Sequence, residues 1–433
     1  MISINAARGP VGKLTDEPWI TAPETLAVID ALTAKGTEVR FVGGCVRDAM
    51  ARKSFKDIDL GTPDPPETVI ELLKSAGIKA IPTGIEHGTI TAIIGNEKFE
   101  ITTLRRDIDT DGRRATVAYT YDWVEDSNRR DFTINALSAT PGGDVYDPHD
   151  GLGDLAHGRI RFVGLAKDRI EEDVLRLLRF FRFYGLFGRP PPDKDAMAAC
   201  RSHADKLPTL SGERVQGEVA KIMLTPNPAD VCVLMHGIGI FEHILPEAGD
   251  VGRLRSLSWL ETRAIVTEAV FPDALRRLAA LLDTDADGAK AVGEHLHLSN
   301  KDKERLSMLC APKLDVSPDM DDATRRRALH EIGTDRMRDL ALLAWAGELS
   351  LTPRLPIERT EGWKKLLEEC NAWKGVTFPV QGRDAANLGV AEGPRIGELM
   401  AALEDWWEEG DYKADREACL KQLKLLIEGG EVG

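Results

Sequence analysis

The sequence predicts an α+β protein in which a small mixed domain is followed by a long and almost entirely helical remainder. Short β-rich runs alternate with helical segments over the first ~150 residues. From about residue 160 onward, apolar residues recur at helical spacing and short Gly and Pro breaks separate the segments. This change of period indicates at least two domains, which a chain of 433 residues also favours.

The mixed domain is predicted element by element from short stretches of the chain. Apolar β-rich runs indicate strands, whereas apolar spacing of three to four residues, or a proline at the start, indicates a helix. In chain order we expect strand EVRFVGG, helix CVRDAMAR, strand DIDLGT, helix PPETVIELLKSAG, and a hairpin of GTITAIIG and KFEITTLR joined by Gly-Asn-Glu.

The helical part is predicted from amphipathic segments, among them RIEEDVLRLLRFFRFYG, which we expect to form one helix, and GERVQGEVAKIML. Its boundaries fall at the DPHDGLGDL loop, around Pro246 to Asp250 and around Leu351 to Pro356. We therefore expect a mixed domain over residues 1–155 and helical domains over residues 156–245 and 246–433.

Composition limits the class of protein. No apolar stretch approaches the ~18 residues of a membrane span, and the N-terminus lacks the apolar core of a signal peptide, so we expect a cytoplasmic protein without membrane contact. Six scattered cysteines form no C-x-x-C pair and predict no zinc site. The net charge of −15 argues mildly against a nucleic-acid partner, but arginines are concentrated between residues 105 and 182 and allow a polyanionic partner.

Two aspartates in KDIDLGT are the first candidates for a functional site. In a β-strand Asp57 and Asp59 share one face, and their repulsion is relieved if a divalent cation lies between them. Glu100, in KFEITTL, could face the same way on a neighbouring strand and form a third acidic group. The alternative interpretation is that all three are ordinary surface carboxylates.

A phosphate site is predicted just upstream of these aspartates. Gly43 and Gly44 lie at a strand-to-helix turn where backbone N–H groups can approach an anion, and Arg47 follows in the first turn of the helix. A Gly-Gly turn alone could be an ordinary tight turn. Together with the aspartate pair, it predicts the two sites that metal-dependent nucleotide chemistry requires.

Arginines recur in two further segments. A long polar stretch from Arg105 to Asn128 is typical of an active-site loop and ends at Arg129 and Arg130. Farther along, Asp173, Arg176, Arg179 and Arg182 recur at every third residue and form a polar stripe on a helix rich in Leu and Phe. Salt bridges on a surface helix would also explain this stripe, but the arginines outnumber the acids and favour an anionic ligand.

These segments resemble one family. GGCVRD, KDIDLGT, EHGTITAI, FEITTLRRD, NRRDFTINAL, YDPHDGLGDL, EEDVLRLLRFFRF and GERVQGEVAKIML occur in the order and spacing of the class II tRNA nucleotidyltransferase and bacterial poly(A) polymerase family. The resemblance covers residues 38 to about 250. A later stretch, FPVQGRDAANLGVAEGPRIGELM, is similar to the C-terminal part of bacterial CCA-adding enzymes.

The resemblance implies a polymerase-β-like head with helical neck, body and tail, the last two contacting tRNA. It implies that two Mg²⁺ ions bind Asp57 and Asp59. It also implies that CTP and ATP are the nucleotides and the tRNA 3′ end is the acceptor. The residues that it assigns to the nucleotide are Gly44, Arg47 and Arg130 for the triphosphate or sugar, Asp173 and Arg176 for the base, and Arg179 and Arg182 in support.

Base selection also follows from the donor and acceptor groups. Cytosine and adenine present an exocyclic amine beside an unprotonated ring nitrogen, which complements the carboxylate of Asp173 and the guanidinium of Arg176. Uracil and guanine present a carbonyl beside an N–H and leave both partners unsatisfied, at a cost of ~1 to 3 kcal/mol per buried group. The protein could therefore select C and A without a nucleic-acid template.

The predicted activity is CCA addition to tRNA by pyrophosphate-releasing nucleotidyl transfer. Poly(A) polymerases of the family carry a basic G-R-R-F run where this chain has Thr83–Thr91, and CC-adding relatives shorten the loop that is full length here. An A-adding tRNA nucleotidyltransferase or a poly(A) polymerase is the alternative. A catalytically inactive RNA-binding protein and an antibiotic nucleotidyltransferase are further alternatives, and the sequence predicts no oligomeric state.

Overall fold

The computed structural model describes residues 9–15, 17–85, 88–110, 115–265 and 269–429, with side chains outside 107–117. The chain divides into two compact units, Met1–Pro246 and Glu247–Gly433. The first unit combines a mixed sheet with helices, and the second is helical in its described part. This confirms the predicted α+β fold class. The finer division at residue 155 stays a prediction.

The strands lie in the first unit, where the described residues form an eight-stranded sheet and a separate two-stranded hairpin. Their bounds are β1 Gly12–Lys13, β2 Arg40–Val42, β3 Ile58–Thr62, β4 Lys79–Gly84, β5 Thr89–Ile94, β6 Glu97–Thr103, β7 Arg105–Thr110, β8 Ala115–Tyr119, β9 Ser138–Ala139 and β10 Asp144–Tyr146. The large sheet has the order β1-β10-β9-β2-β3-β6-β5-β4, and β7 pairs with β8 in the hairpin.

One parallel pair at the centre of the sheet positions the acidic residues. β3 and β6 run parallel, with Asp59 opposite Glu100, whereas β2 and β5 flank them in antiparallel pairs. Parallel neighbours need a crossover connection, and the segment from Thr62 to Glu97 supplies it with a helix and two strands. The predicted strand DIDLGT begins one residue late, so Asp57 precedes β3 and is exposed while Asp59 lies within the strand.

The helices of the first unit cover the sheet and then continue beyond it. Their bounds are α1 Pro18–Thr21, α2 Pro23–Thr33, α3 Gly44–Met50, α4 Pro66–Ser75, α5 Trp123–Asn128, α6 Gly151–His157, α7 Ala166–Glu172, α8 Leu175–Phe187, α9 Lys194–Ser202, α10 Gly212–Met223, α11 Pro228–Gly237 and α12 Phe241–Ile244. Prolines at the first positions of α2 and α4 match the proline start of a helix. Apolar residues of α2, α3 and α4 pack on the sheet in one core with Phe41, Leu60 and Phe99.

The prediction of one continuous helix through RIEEDVLRLLRFFRFYG is wrong. Asp173 has an extended backbone, with φ −153° and ψ 107°, and separates α7 from α8. Its side chain accepts a hydrogen bond from the Leu175 backbone N–H at 3.1 Å, as Asp residues often do at helix starts. The apolar periodicity continues through the break, which is why the sequence alone did not reveal it.

The second unit contains helices in its described part, and most of those after α13 begin at an acidic or serine cap. Their bounds are α13 Val251–Trp259, α14 Ala274–Leu281, α15 Ala286–His295, α16 Asn300–Cys310, α17 Asp322–Ile332, α18 Thr334–Leu351, α19 Ile357–Ala372, α20 Gly382–Asn387, α21 Pro394–Glu409 and α22 Arg416–Ile427. Caps such as Asp273 and Ser299 accept backbone N–H bonds that the helix leaves unpaired. Across the residues that the structure describes, no helix is long and apolar enough to cross a membrane.

Candidate active site

A polar cleft of about 650 Å³ lies on the first unit, where the turn between β2 and α3, strands β3, β5 and β6, the segment after α5, and helices α8 and α10 meet. Nine of the ten residues that the sequence singles out line this cleft: Gly44, Arg47, Asp59, Glu100, Arg130, Asp173, Arg176, Arg179 and Arg182. Asp57 is exposed and is not among the lining residues, although its charge acts on Asp59. Residues as far apart in the sequence as Gly44 and Arg182 are brought together here by the tertiary fold.

The acidic wall of the cleft is formed by adjacent strands. Asp59 and Glu100 occupy opposite positions of the parallel pair, so their side chains leave the sheet on the same face. Burial raises the pKa of Asp59 to about 6, and the charges of Glu100 and Asp57 act in the same direction against those of Arg130 and Arg47. At neutral pH this carboxylate is therefore ionised against an unfavourable local field.

These carboxylates have the chemistry of a divalent cation site. Burial raises the pKa of Asp59 most, and a cation would neutralise the added repulsion from Glu100 and Asp57. Carboxylate oxygens are also the ligands that Mg²⁺ prefers. Among the described residues, no three His, Cys, Asp or Glu side chains already form a complete ligand cluster. This agrees with Mg²⁺ sites in which one or two carboxylates act together with substrate phosphates and water.

The turn between β2 and α3 brings backbone to the edge of the cleft. Gly43 has φ +66°, and a Cβ added there would lie 2.9 Å from Nη1 of Arg130. The space next to Gly44 is less crowded. A Cβ added there would be 3.9 Å from both Nη2 of Arg47 and Oδ2 of Asp59. A side chain at Gly43 would therefore displace a cleft arginine.

Arg47 is held in place from several directions. Its Nη1 donates to Asn135 Oδ1 at 2.5 Å, and its Nη2 donates to Asp48 at 2.8 Å. The guanidinium also lies over the rings of Phe183 and Phe187, at 5.1 and 4.7 Å from their centroids. These contacts leave Arg47 with a fixed orientation at the floor of the cleft.

The predicted base-reading pair lies on the opposite wall, at the break between α7 and α8. The backbone N–H of Arg176 donates to the Asp173 carbonyl at 3.0 Å, which keeps the two residues adjacent. Nη2 of Arg214, on α10, contacts both carboxylate oxygens of Asp173 at 2.9 and 2.8 Å. Arg176 donates to Glu172 at 2.5 Å and to the Arg129 carbonyl at 3.3 Å.

Arg179 and Arg182 point to buried carboxylates. Arg179 donates through Nε and Nη2 to Asp131, at 2.7 and 2.5 Å, and Arg182 donates to Glu218 at 3.0 Å. Burial opposes ionisation of Asp131, but the charge of Arg179 and hydrogen bonds from Asn135 and Arg179 outweigh it and hold its pKa below the usual value. Both arginines therefore support the wall of the cleft.

The cleft also contains residues to which the sequence reasoning assigned no individual role: Arg105, Arg129, Asp131, Asn135, Phe183 and Arg214. Arg129, Asp131 and Asn135 belong to the NRRDFTINAL segment, and Arg214 belongs to GERVQGEVAKIML, so the signal was present in both motifs. Spacing alone did not indicate that Arg214 meets Asp173, which lies 41 residues away.

Part of the predicted active-site loop is a β-hairpin. β7 and β8 pair from Arg105 with Tyr119 to Thr110 with Ala115, and α5 follows. Residues 111–114 lie outside the described residues, and so do Glu86 and His87 of the Thr83–Thr91 stretch. The described root of the hairpin reaches the cleft through Arg105.

A mixed sheet with adjacent carboxylates, facing a cleft lined by arginines, is the arrangement of a metal-dependent nucleotidyltransferase. Two family matches agree with this class. Residues 39–161 match the family described as poly A polymerase head domain, and residues 192–250 match the one described as probable RNA and SrmB-binding site of polymerase A.

Similar proteins cover most of the chain. CCA tRNA nucleotidyltransferase 1, mitochondrial, of Danio rerio is 34% identical over 396 residues, which span 89% of this chain and 87% of the relative. The protein of the same name from Homo sapiens is 32% identical over 89% of this chain and 86% of its own length. Among solved structures, the Bacillus stearothermophilus CCA-adding enzyme in complex with CTP aligns with a TM-score of 0.74 over 94% of this chain and 97% of that one, at 24% identity, and supports the fold.

The chain belongs to the CCA tRNA nucleotidyltransferase family. The family resemblance and the enzyme class predicted from the sequence are thereby confirmed. Nucleotidyltransferases of this class generally use divalent metal ions. The individual roles of the cleft residues remain predictions.

Proposed function

We propose that this protein adds C, C and A to the 3′ end of tRNA, using CTP and ATP and no nucleic-acid template. The observation that supports this most directly is the composition of the single cleft described above. One wall carries Asp59 and Glu100, and the other carries Asp173 beside Arg176. The first wall has the chemistry for nucleotidyl transfer, and the second has the donor and acceptor that cytosine and adenine share.

Asp59 and Asp57 are the residues that would hold Mg²⁺ in this proposal, with Glu100 beside them. Two bound Mg²⁺ ions would supply activation of the attacking 3′-hydroxyl and neutralisation of the leaving pyrophosphate. The protein's own contribution is to fix the carboxylates on adjacent strands. It also places Arg47 and Arg130 on the same side, where their charges already act on Asp59. These arginines and the open backbone at Gly44 would bind the triphosphate or sugar.

Asp173 and Arg176 would read the base. Arg214 contacts both carboxylate oxygens of Asp173 with one nitrogen, and the Leu175 backbone N–H donates to Oδ1. A carboxylate has about four acceptor positions, so capacity remains for one exocyclic amine. A guanidinium has five N–H donors, so the contacts of Arg176 with Glu172 and with backbone carbonyls orient it without using all of them. Arg179 and Arg182 would support this wall.

The acceptor in this proposal is the tRNA 3′ end, with the helices of residues 246–433 as the expected tRNA contact. Several similar proteins carry CCA-adding activity in their names, and one solved relative contains CTP and another ATP. A cytoplasmic location stays our prediction, while the similar vertebrate proteins are named as mitochondrial.

Incorporation of labelled nucleotides tests the proposal. Transcripts of tRNA that end at the discriminator base, at C and at CC are incubated with Mg²⁺ and with CTP and ATP, separately and together. We expect two C and one A on the first transcript, one C and one A on the second, and one A on the third, followed by a stop. The Asp59→Asn variant is the matched negative control.

Other outcomes identify the alternatives. Addition of A to the CC-ended transcript alone would identify an A-adding enzyme. Long runs of A on any RNA would identify a poly(A) polymerase. Binding of tRNA without metal-dependent incorporation would identify an inactive RNA-binding protein, and each of these results would overturn the proposal.

A further inference from the structure

A buried aspartate below the cleft contacts two adjacent arginines. Asp126 lies in the first turn of the short helix α5, and its side chain is 4% exposed. Its Oδ1 accepts from Arg129 Nε and Nη2 at 2.9 and 2.7 Å, and its Oδ2 accepts from Arg130 Nε and Nη2 at 3.3 and 3.1 Å. One carboxylate therefore holds two guanidinium groups through separate oxygens.

The same aspartate is tied to the start of β7. Its Oδ1 accepts the backbone N–H of Arg105 at 3.2 Å, and Arg129 Nε donates to the carbonyl of Arg105 at 3.2 Å. These bonds fix Asp126 and Arg129 to the backbone at the start of β7, two residues after β6 ends. The aspartate is therefore held by backbone as well as by side chains.

Arg130 is confined on its other side too. Its Nη1 donates to the Asn135 carbonyl at 3.3 Å. The same nitrogen lies so close to Gly43 that a Cβ added there would be 2.9 Å away. Asp126 engages Nε and Nη2, so the guanidinium plane is set by contacts on both of its edges. An arginine fixed in this way loses little rotamer entropy when it binds an anion.

The charges in this cluster have a consequence for ligand binding. Arg129 and Arg130 are adjacent like charges with side chains only 17% and 20% exposed, so they repel each other where water screens weakly. Asp126 offsets that repulsion and still leaves the three groups with a net charge of +1 beside the cleft. The guanidinium charges outweigh the effect of burial and keep the pKa of Asp126 below its usual value, so this balance holds at neutral pH.

We propose that Asp126 is a positioning residue for nucleotide binding, which aligns Arg129 and Arg130 for the triphosphate of either incoming nucleotide without touching the nucleotide itself. The inference rests on the proposed function. Arg176 of the base-reading wall contacts this cluster at a backbone atom, the carbonyl of Arg129, which Asp126→Asn leaves in place. Because the triphosphate is common to CTP and ATP, loss of Asp126 should affect both nucleotides equally.

The test compares Asp126→Asn and Asp126→Ala with the wild-type protein. Dissociation constants for CTP and ATP are measured without tRNA, and KM and kcat are measured by incorporation into tRNA. For Asp126→Asn we expect both nucleotide dissociation constants and both KM values to rise by about 10- to 100-fold, by analogy with the loss of a group that orients a metal-binding side chain. The CTP-to-ATP preference and the rejection of UTP should stay unchanged.

A double-mutant cycle separates positioning from general stability. If Asp126 acts through Arg130, adding Asp126→Asn to Arg130→Ala should weaken nucleotide binding by much less than it does in the wild-type background. Additive losses, or nucleotide affinities that stay at the wild-type value while the melting temperature falls, would overturn the proposal. A change confined to one of the two nucleotides would overturn it as well.

Asp384→Asn is the matched control. Asp384 is another buried carboxylate that accepts from an arginine, Arg416 at 2.6 Å, and from a backbone N–H, that of Gln381 at 2.9 Å, but it lies in the second unit. We expect it to change the melting temperature while leaving the CTP and ATP dissociation constants unchanged. If the wild-type protein incorporates neither nucleotide, the proposed function fails, whereas the binding comparison still tests Asp126.

Discussion

At the scale of single residues, the cleft arginines are held by carboxylates of the chain itself. Seven of them have such a partner: Arg47 with Asp48, Arg129 and Arg130 with Asp126, Arg176 with Glu172, Arg179 with Asp131, Arg182 with Glu218, and Arg214 with Asp173. Such pairs orient long side chains before a ligand arrives, which lowers the entropy lost on binding. The acidic wall differs, because burial and the charges of Glu100 and Asp57 raise the pKa of Asp59 despite the nearby arginines.

Asp59→Asn should therefore stabilise the metal-free protein while it abolishes nucleotide transfer. The folded-state pKa of about 6 lies above the unfolded value, so wild-type stability falls as pH rises through this range and the variant avoids that loss. We expect a gain of about 1 to 3 kcal/mol in the free energy of unfolding at pH 7.5, shrinking towards zero below about pH 4. Unfolding curves recorded with a chelator across this pH range measure it.

The stability difference between Asp59→Asn and the wild-type protein should also depend on metal. Added Mg²⁺ should raise the stability of the wild-type protein and should not raise that of Asp59→Asn to the same extent. Asp57→Asn is the comparison variant, and we expect it to change the free energy of unfolding less than Asp59→Asn does, because Asp57 is exposed. If Asp59→Asn is less stable than the wild-type protein at pH 7.5 in the presence of the chelator, the account of Asp59 is wrong.

Arg176→Ala should relax selection of the base. If this guanidinium meets the ring nitrogen of cytosine and adenine, its loss removes the group that rejects the N–H of uracil and guanine. We expect discrimination against UTP and GTP to fall by about 5- to 150-fold, which corresponds to ~1 to 3 kcal/mol. Competition between labelled nucleotides on tRNA transcripts measures the ratio of kcat/KM values.

Arg169→Ala is the matched control for this variant. Arg169 pairs with the same Glu172 and donates to the Asn128 carbonyl, but it is not among the residues that line the cleft. Selectivity should change in Arg176→Ala and not in Arg169→Ala. Unchanged selectivity in both would place base reading on another residue.

At the scale of elements, two breaks in regular structure set the geometry of the cleft. The turn at Gly43 connects β2 to α3, and the extended residue Asp173 separates α7 from α8. Each break changes the direction of the chain and places functional groups in the cleft. In a continuous helix or strand these groups would face another direction. The parallel pair of β3 and β6 then places Asp59 beside Glu100.

Gly43→Ala should impair nucleotide binding as well as stability. The φ of +66° disfavours alanine, and the added Cβ would lie 2.9 Å from Nη1 of Arg130. We expect a loss of about 1 to 2 kcal/mol in the free energy of unfolding from backbone strain. Displacement of Arg130 should also raise KM for both nucleotides, and incorporation assays with denaturant unfolding measure the two effects.

Gly36→Ala separates the two effects. Gly36 also has a positive φ, +83°, but an added Cβ would have nothing within 4 Å. This variant should lose stability and keep the wild-type KM values. Equal KM values in Gly43→Ala and Gly36→Ala would show that Arg130 is not displaced.

At the scale of the whole molecule, each compact unit has its own core. The first is built on the large sheet, while the second contains buried charges among its helices. Glu261, in a π-helical turn at Leu260–Ala264, pairs with both Arg276 and Arg277, and Arg276 continues to Asp339. This network is fully desolvated at Glu261, so its integrity depends on every partner being present.

Glu261→Ala should strongly destabilise the second unit. Removing this carboxylate leaves two buried guanidinium groups without their shared acceptor, which typically costs about 3 to 5 kcal/mol. Calorimetric unfolding measures the loss. Asp287→Ala, which breaks an exposed pair with Lys290, is the control, and its effect should stay within about 0.5 kcal/mol. Similar stabilities for the two variants would contradict the assigned importance of the network.

Local sequence patterns were enough to predict the elements nearest the cleft and the kinds of groups in the site. Alternating and helical periodicities identified β2, β3, β5 and β6 with their flanking helices, and the glycine pair, the aspartates and the arginine repeats identified most of the cleft residues. These signals are local, because periodicity, caps and turns depend on residues a few positions apart.

The tertiary structure alone decided which of these groups meet. Arg214 contacts Asp173 across 41 positions, Arg47 contacts Asn135 across 88, and Asp59 comes to lie beside Glu100 through a parallel crossover. The break at Asp173 was also hidden, because the apolar pattern continues through it while the side chain of Asp173 bonds to the backbone of Leu175. Contacts between residues far apart in the chain follow from how whole elements pack, and the local spacing of residues does not encode that packing.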